Sequence, residues 1–241
     1  MSNLESPASS TASASSRHDV DEPSPFEGAS GNVLEGLLSD AGGESTFDSL
    51  AVEARSALPA TWLARYAFAA VRNGFLIRQR ADPSGRATAV DAVGPGCCFP
   101  LDRSLAAYGG ARVLGYAVTR SQVCLCDSET LERGVAEGGP VALHIHQLQS
   151  ETIARMERLA DARARPGAAA KVAALLCALA DTLRPGAGRI PAEFLQRDLA
   201  GLVSIRHESV CRVLREFGRH GLISKDSDGI LIADRAQLQA V

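Results

Sequence analysis

Positively charged side chains are concentrated in one short stretch near the C-terminal end of the chain. The stretch from 206 to 219 carries six charged side chains, four of them arginines: Arg206, Glu208, Arg212, Arg215, Glu216 and Arg219. The whole chain has a formal charge of -3, so any affinity for nucleic acid must come from a local cluster of this kind. Guanidinium groups suit that chemistry because they bind phosphate oxygens and fork onto base edges.

The chain also contains six cysteines. Cys97 and Cys98 lie in a loop rich in Gly and Pro, whereas Cys124 and Cys126 are two residues apart on a predicted strand and share one face. Thiolates bind zinc and iron–sulfur clusters, so these four residues are the candidate metal ligands. Thiol-based redox sensing is a second option. We favour a third, in which these cysteines pack as small apolar residues, because adjacent cysteines rarely point at one metal.

The apolar pattern around the arginines predicts the element that positions them. Two short amphipathic helices joined by a tight turn would bury five apolar side chains in their corner: Leu199, Val203, Ile205, Val210 and Val213. Ala200 would let the two backbones approach closely. This is the pattern of a helix-turn-helix, whose second helix lies in the major groove of DNA. Ser204 occupies the turn position that usually carries glycine, and because serine adopts a left-handed conformation only at some cost, we expect the turn to differ slightly from the usual one.

A hairpin is predicted directly after the second helix. Gly221 suits a helix C-cap, and Asp228-Gly229 between the apolar runs 222–223 and 230–232 is a strong hairpin signal. A hairpin in this place is a wing, and a short helix is predicted over 234–240. The pattern therefore predicts a winged helix over 166–241. An ordinary α+β corner without a role in DNA binding is the alternative.

The first two thirds of the chain divide into three parts. Residues 1–50 are rich in Ser, Ala, Gly, Pro and acidic groups, which predicts a disordered segment. Residues 51–140 contain short apolar or alternating runs separated by Gly-rich turns, which indicate a β-sandwich or β-roll. The predicted strands are 66–71, 75–80, 87–93, 112–119 and 122–126. Residues 141–165 form the third part, a single long helix.

The long helix carries a narrow apolar stripe. Its members follow three- and four-residue steps: Ile145, Leu148, Thr152, Met156 and Leu159. Parallel pairing in a homodimer explains so narrow a stripe most simply. Packing of the stripe onto the chain's own β-roll is the alternative. Pro166-Gly167 breaks the helix and marks a hinge, after which 168–183 predicts a second, apolar helix.

A β-roll, a long central helix, a Pro-Gly hinge and a C-terminal winged helix together resemble the Crp/Fnr superfamily of bacterial transcription regulators. The stretch from Asp198, DLAGLVSIRHESVCRVL, is similar to the family motif D-(L/I)-A-x-x-L-G-(L/M)-(S/T)-x-E-(S/T)-(V/I)-(S/G)-R-x-L. The resemblance covers about residues 60 to 241. It implies an α+β fold with a cyclic-nucleotide-binding-like β-roll, a dimerisation helix and a winged helix. The first strands of the family, expected before residue 60, have no clear counterpart in the sequence.

The resemblance implies that Glu208 and Arg212 read DNA bases. At the start of a groove-bound helix, Arg212 can fork onto O6 and N7 of guanine, while Glu208 can accept a hydrogen bond from the N4 amine of cytosine. A surface ion pair between the two residues is the alternative. The predicted DNA-binding set is completed by neighbouring positions: Arg206, His207, Ser209, Cys211 and Arg215. Arg215 and Arg219 are expected to hold phosphates, with solvated surface arginines as the alternative.

The resemblance leaves the effector open. The cyclic-nucleotide branch of the family uses a Gly-Glu pair and an Arg-Ser pair. Here Arg112 is followed by Val113, and Arg103-Ser104 lacks an accompanying Gly-Glu pair, so cyclic AMP is not expected. Residues 1–96 contain no cysteine, so the family's usual iron–sulfur site cannot form. The cofactor is therefore unknown: an iron–sulfur cluster on a different set of cysteines, or none.

Together these features predict a sequence-specific transcription regulator that binds double-stranded DNA as a homodimer, with RNA polymerase as a further partner. A sensor or interaction module that keeps the winged fold without reading bases is the alternative. An enzyme is not predicted, because the sequence shows no nucleophile–base arrangement, phosphate loop or paired carboxylates at useful spacing. The sequence has neither a membrane-spanning run nor a signal-peptide pattern, so we expect a cytoplasmic protein without a membrane partner.

Overall fold

The computed structural model describes residues 47–82, 84–101, 112–136, 140–183 and 186–241. The described part of its N-terminal half contains seven strands and two short helices, in the order β1 (Asp48–Val52), α1 (Trp62–Arg65), β2 (Tyr66–Asn73), β3 (Leu76–Ala81), β4 (Ala87–Val93), β5 (Cys98–Pro100), β6 (Arg112–Ala117), β7 (Ser121–Asp127) and α2 (Ser128–Ala136). The C-terminal half continues with α3 (Pro140–Ala164), α4 (Gly167–Leu183), β8 (Arg189–Pro191), α5 (Gln196–Val203), α6 (His207–Arg219), β9 (Ile223–Asp226), β10 (Gly229–Ile232) and α7 (Arg235–Gln239).

The N-terminal half is a β-roll of two antiparallel sheets, ordered β1-β7-β2-β5 and β4-β3-β6. The alternating side chains that point inward from both sheets form one apolar core, in which Val71, Leu76, Val93, Phe99 and Leu125 are buried. All five predicted strands are present as β2, β3, β4, β6 and β7. The prediction of an α+β fold with a β-roll is confirmed.

The first strand of the roll differs from the prediction. β1 pairs antiparallel with β7, so that Leu50 lies opposite Val123. The expectation that no strand precedes residue 60 is therefore wrong, and the boundary predicted between residues 50 and 51 falls inside β1. Four of the five residues of β1 are exposed, which removes the apolar alternation that identifies a strand in a sequence. Residues 1–46, also predicted to be disordered, lie outside the described part of the chain.

The long helix α3 packs against the roll through most of its predicted stripe. Leu148 is buried with Phe68 and Cys98, and the Thr152 hydroxyl donates a hydrogen bond of 3.1 Å to the carbonyl of Cys98. Leu159 is also buried. The alternative interpretation is therefore correct for these members of the stripe, because they face the chain's own roll and not a partner helix.

A buried charged network fastens α3 to the roll. Arg155 donates hydrogen bonds to the carboxylate of Asp91 on β4 at 3.2 Å and to the carbonyl of Cys98 at 2.7 Å. Arg78 on β3 lies 3.5 Å from the same carboxylate and stacks over the ring of Phe99. All three charged side chains are buried. Breaking a buried ion pair leaves an uncompensated charge, so the network favours one placement of α3 on the roll.

The C-terminal half is a winged helix, as predicted. Four of the five predicted corner residues, Leu199, Val203, Val210 and Val213, are buried in one apolar core, and Ile205 packs against it partly buried. Ser204 joins the two helices in the left-handed conformation, with φ 55° and ψ 44°. β8, β10 and β9 form a three-stranded sheet. Its hairpin turns through residues 227–228, and Gly229 opens β10 opposite Asp226.

The winged helix and the roll share one apolar core. Phe75, Ile77 and Val118 of the roll pack into the same buried cluster as the helices α4, α5 and α6. The ring of Phe75 meets the ring of Phe194 edge-on at a centroid distance of 5.8 Å. Within the described ranges, none of the helices combines the length and the apolar character needed to cross a bilayer.

The buried network predicts a large loss of stability on replacing Arg155. We expect Arg155→Ala to lower the free energy of unfolding by about 3 kcal/mol, because it removes the shorter of the two contacts to the buried Asp91 carboxylate. Arg158→Ala, which removes an exposed arginine one turn further along α3, is the matched control. Urea unfolding followed by circular dichroism measures both changes. Equal midpoints for the two variants would contradict a structural role for the network.

Candidate nucleic-acid interface

The helix α6 separates its apolar side chains from its charged ones. Val210, Val213, Leu214 and Phe217 are buried on one side. The seven predicted DNA-binding residues lie at the start of the helix or away from this buried side. Five are exposed and two are half-buried, in the order Arg206, His207, Glu208, Ser209, Cys211, Arg212 and Arg215, with Ser209 and Cys211 the half-buried pair. Burying one side of α6 against α4 and α5 thus turns the opposite side outward.

Glu208 and Arg212 project from the middle of this exposed side, one turn apart. Across the residues that the structure describes, neither side chain takes part in a salt bridge or hydrogen bond. The alternative interpretation, a surface ion pair between the two, is therefore not formed. Both the carboxylate and the guanidinium remain free to contact a ligand.

Cys211 links the two helices of the helix-turn-helix. Its thiol donates a hydrogen bond of 2.8 Å to the side-chain carbonyl oxygen of Gln196, the first residue of α5. The Sγ atom also lies 3.4 Å from Nε2 of His207. Arg215 donates a hydrogen bond of 3.3 Å to the backbone carbonyl of Cys211. The hydrogen bond to Gln196 joins α6 to α5, while the contacts with His207 and Arg215 lie within α6, so Cys211 contributes to the shape of the exposed surface.

Two further basic residues border α6, and neither was predicted from the sequence to contact DNA. A cleft of about 370 Å³ is lined by Arg197 of α5, His207 and Lys225 of the wing. A second cleft of about 210 Å³ lies between Gln196, Arg215 and Lys225. The backbone N–H groups at the start of α5 add positive potential beside Arg197. The two clefts are therefore suited to negatively charged groups, such as the phosphates that flank a base-reading helix.

The cysteines of the roll do not form the predicted metal site. Cys97 packs between the two sheets, whereas Cys98, Cys124 and Cys126 pack on the other side of their sheet, under α3. Adjacent residues of a strand point to opposite faces, which separates Cys97 from the rest. Cys98 and Cys124 both lie opposite Ala70, on strands that flank it, which places their Cα atoms roughly 10 Å apart.

The raised pKa values of these thiols also argue against a metal site. Burial raises the pKa of Cys97 and Cys98 above the ordinary thiol value and raises the pKa of Cys126 to about 12. Metal ligands must be thiolates, so this environment disfavours metal binding. Among the residues that the structure describes, no three His, Cys, Asp or Glu side chains are grouped as a metal site. An iron–sulfur cluster therefore does not fit these residues, and the cysteines pack as small apolar groups.

A small cleft between the roll and α3 is a candidate effector site. It measures about 70 Å³ and is lined by Phe68, Phe99, Leu148 and other apolar residues, with Gln149 and Thr152 as its polar side chains. Of the residues that the structure describes, none with a charged side chain lines this cleft, so these residues offer no counter-charge to a phosphate. Arg103-Ser104, the weak candidate for a phosphate-binding pair, lies outside the described residues.

The burial of the thiols predicts the order in which they react. We expect Cys211 to react with a neutral thiol reagent before the other five cysteines, because it is half-exposed while they are buried. When the native protein is mixed with a chromogenic disulfide reagent, the rise in absorbance should show one fast-reacting thiol. Cys211→Ser should remove this fast phase, and Cys177→Ser should leave it unchanged. A fast phase that survives in Cys211→Ser would show that the roll opens more readily than its packing implies.

Comparisons with known proteins agree with this architecture. Residues 170–241 match the family model of the Crp-like helix-turn-helix domain. The search of curated proteins finds no match to the chain. Among solved structures, FixK2 from Bradyrhizobium japonicum is 19% identical, with a TM-score of 0.66 over 80% of this chain and 96% of its own. A CooA mutant from Carboxydothermus hydrogenoformans is 15% identical, with a TM-score of 0.61 over 85% of this chain and 89% of its own.

A structure of CprK complexed with OCPA is also 15% identical to the chain, with a TM-score of 0.59 over 86% of this chain and 93% of its own. At these identities the solved structures share the fold, while the family match rests on the winged helix itself. The same order of roll, long helix and winged helix runs through the chain described above. Residues 170–241 therefore match a Crp-like helix-turn-helix domain, and the chain as a whole shares the fold of these solved structures.

Proposed function

We propose that the protein is a dimeric transcription regulator that recognises a pseudo-palindromic DNA site through α6. The observation that carries this proposal is the exposed side of α6, where Glu208 and Arg212 stand unpaired on a helix-turn-helix whose other side is buried in the apolar core. In this fold the second helix enters the major groove, with its first residues at the base edges. The resemblance of the motif from Asp198 supports the same two residues.

The two side chains suit one G·C base pair and its neighbour. A guanidinium can donate two hydrogen bonds to O6 and N7 of a guanine, and a carboxylate can accept one from the N4 amine of a cytosine. Each good contact of this kind contributes about 1–3 kcal/mol of discrimination against the wrong base. His207, Ser209 and Cys211 lie beside this pair and are proposed to shape the preference at adjacent positions.

Affinity without sequence preference is proposed to come from the basic residues around α6. Arg206 and Arg215 are exposed at the edges of the helix, while Arg197 and Lys225 line the clefts beside it. Contacts from such side chains to phosphates fix the protein on the duplex and make its affinity depend on salt. This arrangement explains how a chain with a net charge of -3 can bind DNA.

We propose that the dimer forms through an exposed stripe on α3 that shares Met156 with the stripe predicted from the sequence and otherwise consists of different residues. Leaving the roll-facing side aside, exposed residues of α3 recur in steps of four and three, in the order Ala142, His146, Gln149, Ile153, Met156 and Ala160. Ile153 and Met156 are 56% and 40% exposed, which is a high exposure for large apolar side chains. The spacing is that of the a and d positions of a coiled coil, so a second copy of α3 would cover both residues.

The roll is proposed to act as the sensor, because its charged network with Arg155 ties any shift of β3 and β4 to α3. The buried thiols give little support to redox sensing by Cys97, Cys98, Cys124 or Cys126. The location in the cytoplasm and the contact with RNA polymerase rest on the family resemblance and are proposed on that basis.

Substitutions on α6 should separate base reading from phosphate binding. We expect Arg212→Ala and Glu208→Ala each to cost about 1–3 kcal/mol of binding free energy at a half-site selected from randomised duplexes. Each should also relax the preference at one base pair. Lys225→Ala should instead weaken binding to all sequences alike and lower the slope of log affinity against log salt by about 1 per protomer. Fluorescence anisotropy with specific and scrambled duplexes at several salt concentrations measures these effects.

Arg158→Ala, which removes an exposed arginine of α3, is the control for this series and should bind as the wild type does. If Arg212→Ala weakens specific and scrambled duplexes equally, the base-reading proposal is wrong. The protein would then be a winged module that binds DNA without reading its sequence. If the wild type binds neither duplex, the proposal of DNA binding fails altogether.

Charge placed in the exposed stripe of α3 should separate the protomers. We expect the double variant Ile153→Glu with Met156→Glu to be a monomer in analytical ultracentrifugation and to lose affinity for a two-half-site duplex, because the second half-site is no longer bound in the same complex. Leu143→Glu is the matched control, since Leu143 is 57% exposed but lies off the stripe. A double variant that still sediments as a dimer would rule out this interface.

A further inference from the structure

Asp198, the third residue of α5, is buried, and its carboxylate is held from three sides. One oxygen accepts the backbone N–H of Leu195 at 2.8 Å, which caps the start of the helix. The same oxygen accepts a hydrogen bond of 2.8 Å from the guanidinium of Arg55. The other oxygen accepts a hydrogen bond of 2.7 Å from the hydroxyl of Tyr116. Capping accounts for the first of these contacts but not for the other two, which come from the β-roll.

The backbone at Arg55 supports a specific role for this contact. Arg55 has a φ of 64°, a left-handed conformation that is unfavourable for a residue with a side chain. Its backbone N–H donates a hydrogen bond of 2.7 Å to the carbonyl of Ala117, and its guanidinium also donates to the carbonyl of Glu193. A conformation of this kind persists where its surroundings determine it. Here those surroundings are the strand β6 and the start of α5.

Tyr116 is equipped to act as a permanent donor in this contact. It lies on β6, at the edge of the sheet β4-β3-β6, and its backbone pairs with Ile77 of the central strand β3. Burial, together with the nearby Asp198 carboxylate, raises the pKa of Tyr116 well above that of a free phenol. The hydroxyl therefore keeps its proton throughout the physiological range.

We propose that Arg55 and Tyr116 form an interdomain latch on Asp198, which fixes the orientation of the helix-turn-helix on the roll and so positions the DNA-reading surface. The apolar core between the two halves is large but non-directional. The latch adds two directed hydrogen bonds to the first turn of α5, beside Gln196 and Arg197. Gln196 in turn holds Cys211 of α6, so the latch reaches the recognition helix through a single further contact.

The position of Arg55 makes the latch responsive to the roll. Arg55 follows β1 closely, and β1 is held to the roll by its pairing with β7. β7 leads directly into α2. A change in the roll that displaces β1 or β6 would shift the donors on Asp198, and with them the first turn of α5. The latch thus gives the sensor half a direct contact with the DNA-reading half, separate from the path along α3.

Removing one donor tests the latch in the full-length protein. Tyr116→Phe deletes the hydroxyl that reaches Asp198 without changing any charge. Tyr66→Phe is the matched control, because its hydroxyl donates a hydrogen bond of 2.5 Å to Asp48 within the roll. We expect amide hydrogen exchange over α5 to be about tenfold faster in Tyr116→Phe, the effect of losing one hydrogen bond to a charged group. Exchange in α4 and in the strands β3 and β7 should stay as in the wild type.

The same variants are then measured for DNA binding, since the positioning role rests on the proposed function. Tyr116→Phe should bind the specific duplex several-fold more weakly, and Tyr66→Phe should bind it as the wild type does. Arg55→Lys, which keeps the positive charge but loses the fork to Asp198 and Glu193, should repeat both effects. It also serves as the test if Tyr116→Phe does not fold.

The outcomes of the two measurements are separable. Unchanged exchange over α5 in both variants would overturn the latch, whatever happens to DNA binding. Faster exchange with unchanged affinity would overturn the positioning role. If the wild type shows no preference for any DNA sequence, the proposed function fails, while the exchange measurement still decides whether the latch holds the two halves together.

Discussion

Burial of the corner between α5 and α6 is the constraint on which the rest of the structure depends. Two short helices bury too little surface to be stable alone, so they must share a core with α4, the wing and the roll. Once Val210, Val213 and Phe217 are committed to that core, the period of the helix turns Glu208 and Arg212 outward. Ser204 accepts a left-handed conformation so that the corner can close. The exposed basic surface follows from packing that takes place on its opposite side.

Directed polar contacts then relate the three parts of the chain to one another. Arg155 and Asp91 fix the central helix on the roll, and Arg163 extends from the same helix to the carbonyl of Leu202 at the end of α5, with a hydrogen bond of 2.7 Å. Arg55 and Tyr116 reach the start of α5 from the roll. Hydrogen bonds depend on distance and angle more strongly than apolar contacts do, so we infer that these arginines favour the arrangement seen here.

The local spacing of apolar residues was enough to predict most helices and strands, but not what each of their faces packs against. The corner residues, the turn at Ser204 and the wing follow from spacing within one stretch, and the structure contains all three. On α3, two stripes have similar spacing, and the sequence does not say that Leu148 and Thr152 meet the roll while Ile153 and Met156 stay exposed. β1 carries no apolar alternation, and the adjacent cysteines Cys97 and Cys98 divide between two sides of a sheet. The contacts of Asp198 join residues 143 and 82 positions apart, so only tertiary structure could reveal them.

The central claim is that two copies of α6, held by a dimer, read two inverted half-sites. Selection of bound duplexes from a randomised pool by the full-length protein, followed by sequencing, tests this claim most directly. We expect an enriched inverted repeat whose half-sites each contain a G·C pair. The half-site centres should be separated by about one helical turn, roughly 10–10.5 base pairs, or a multiple of this. An unenriched pool, or an isolated half-site without its inverted copy, would contradict it.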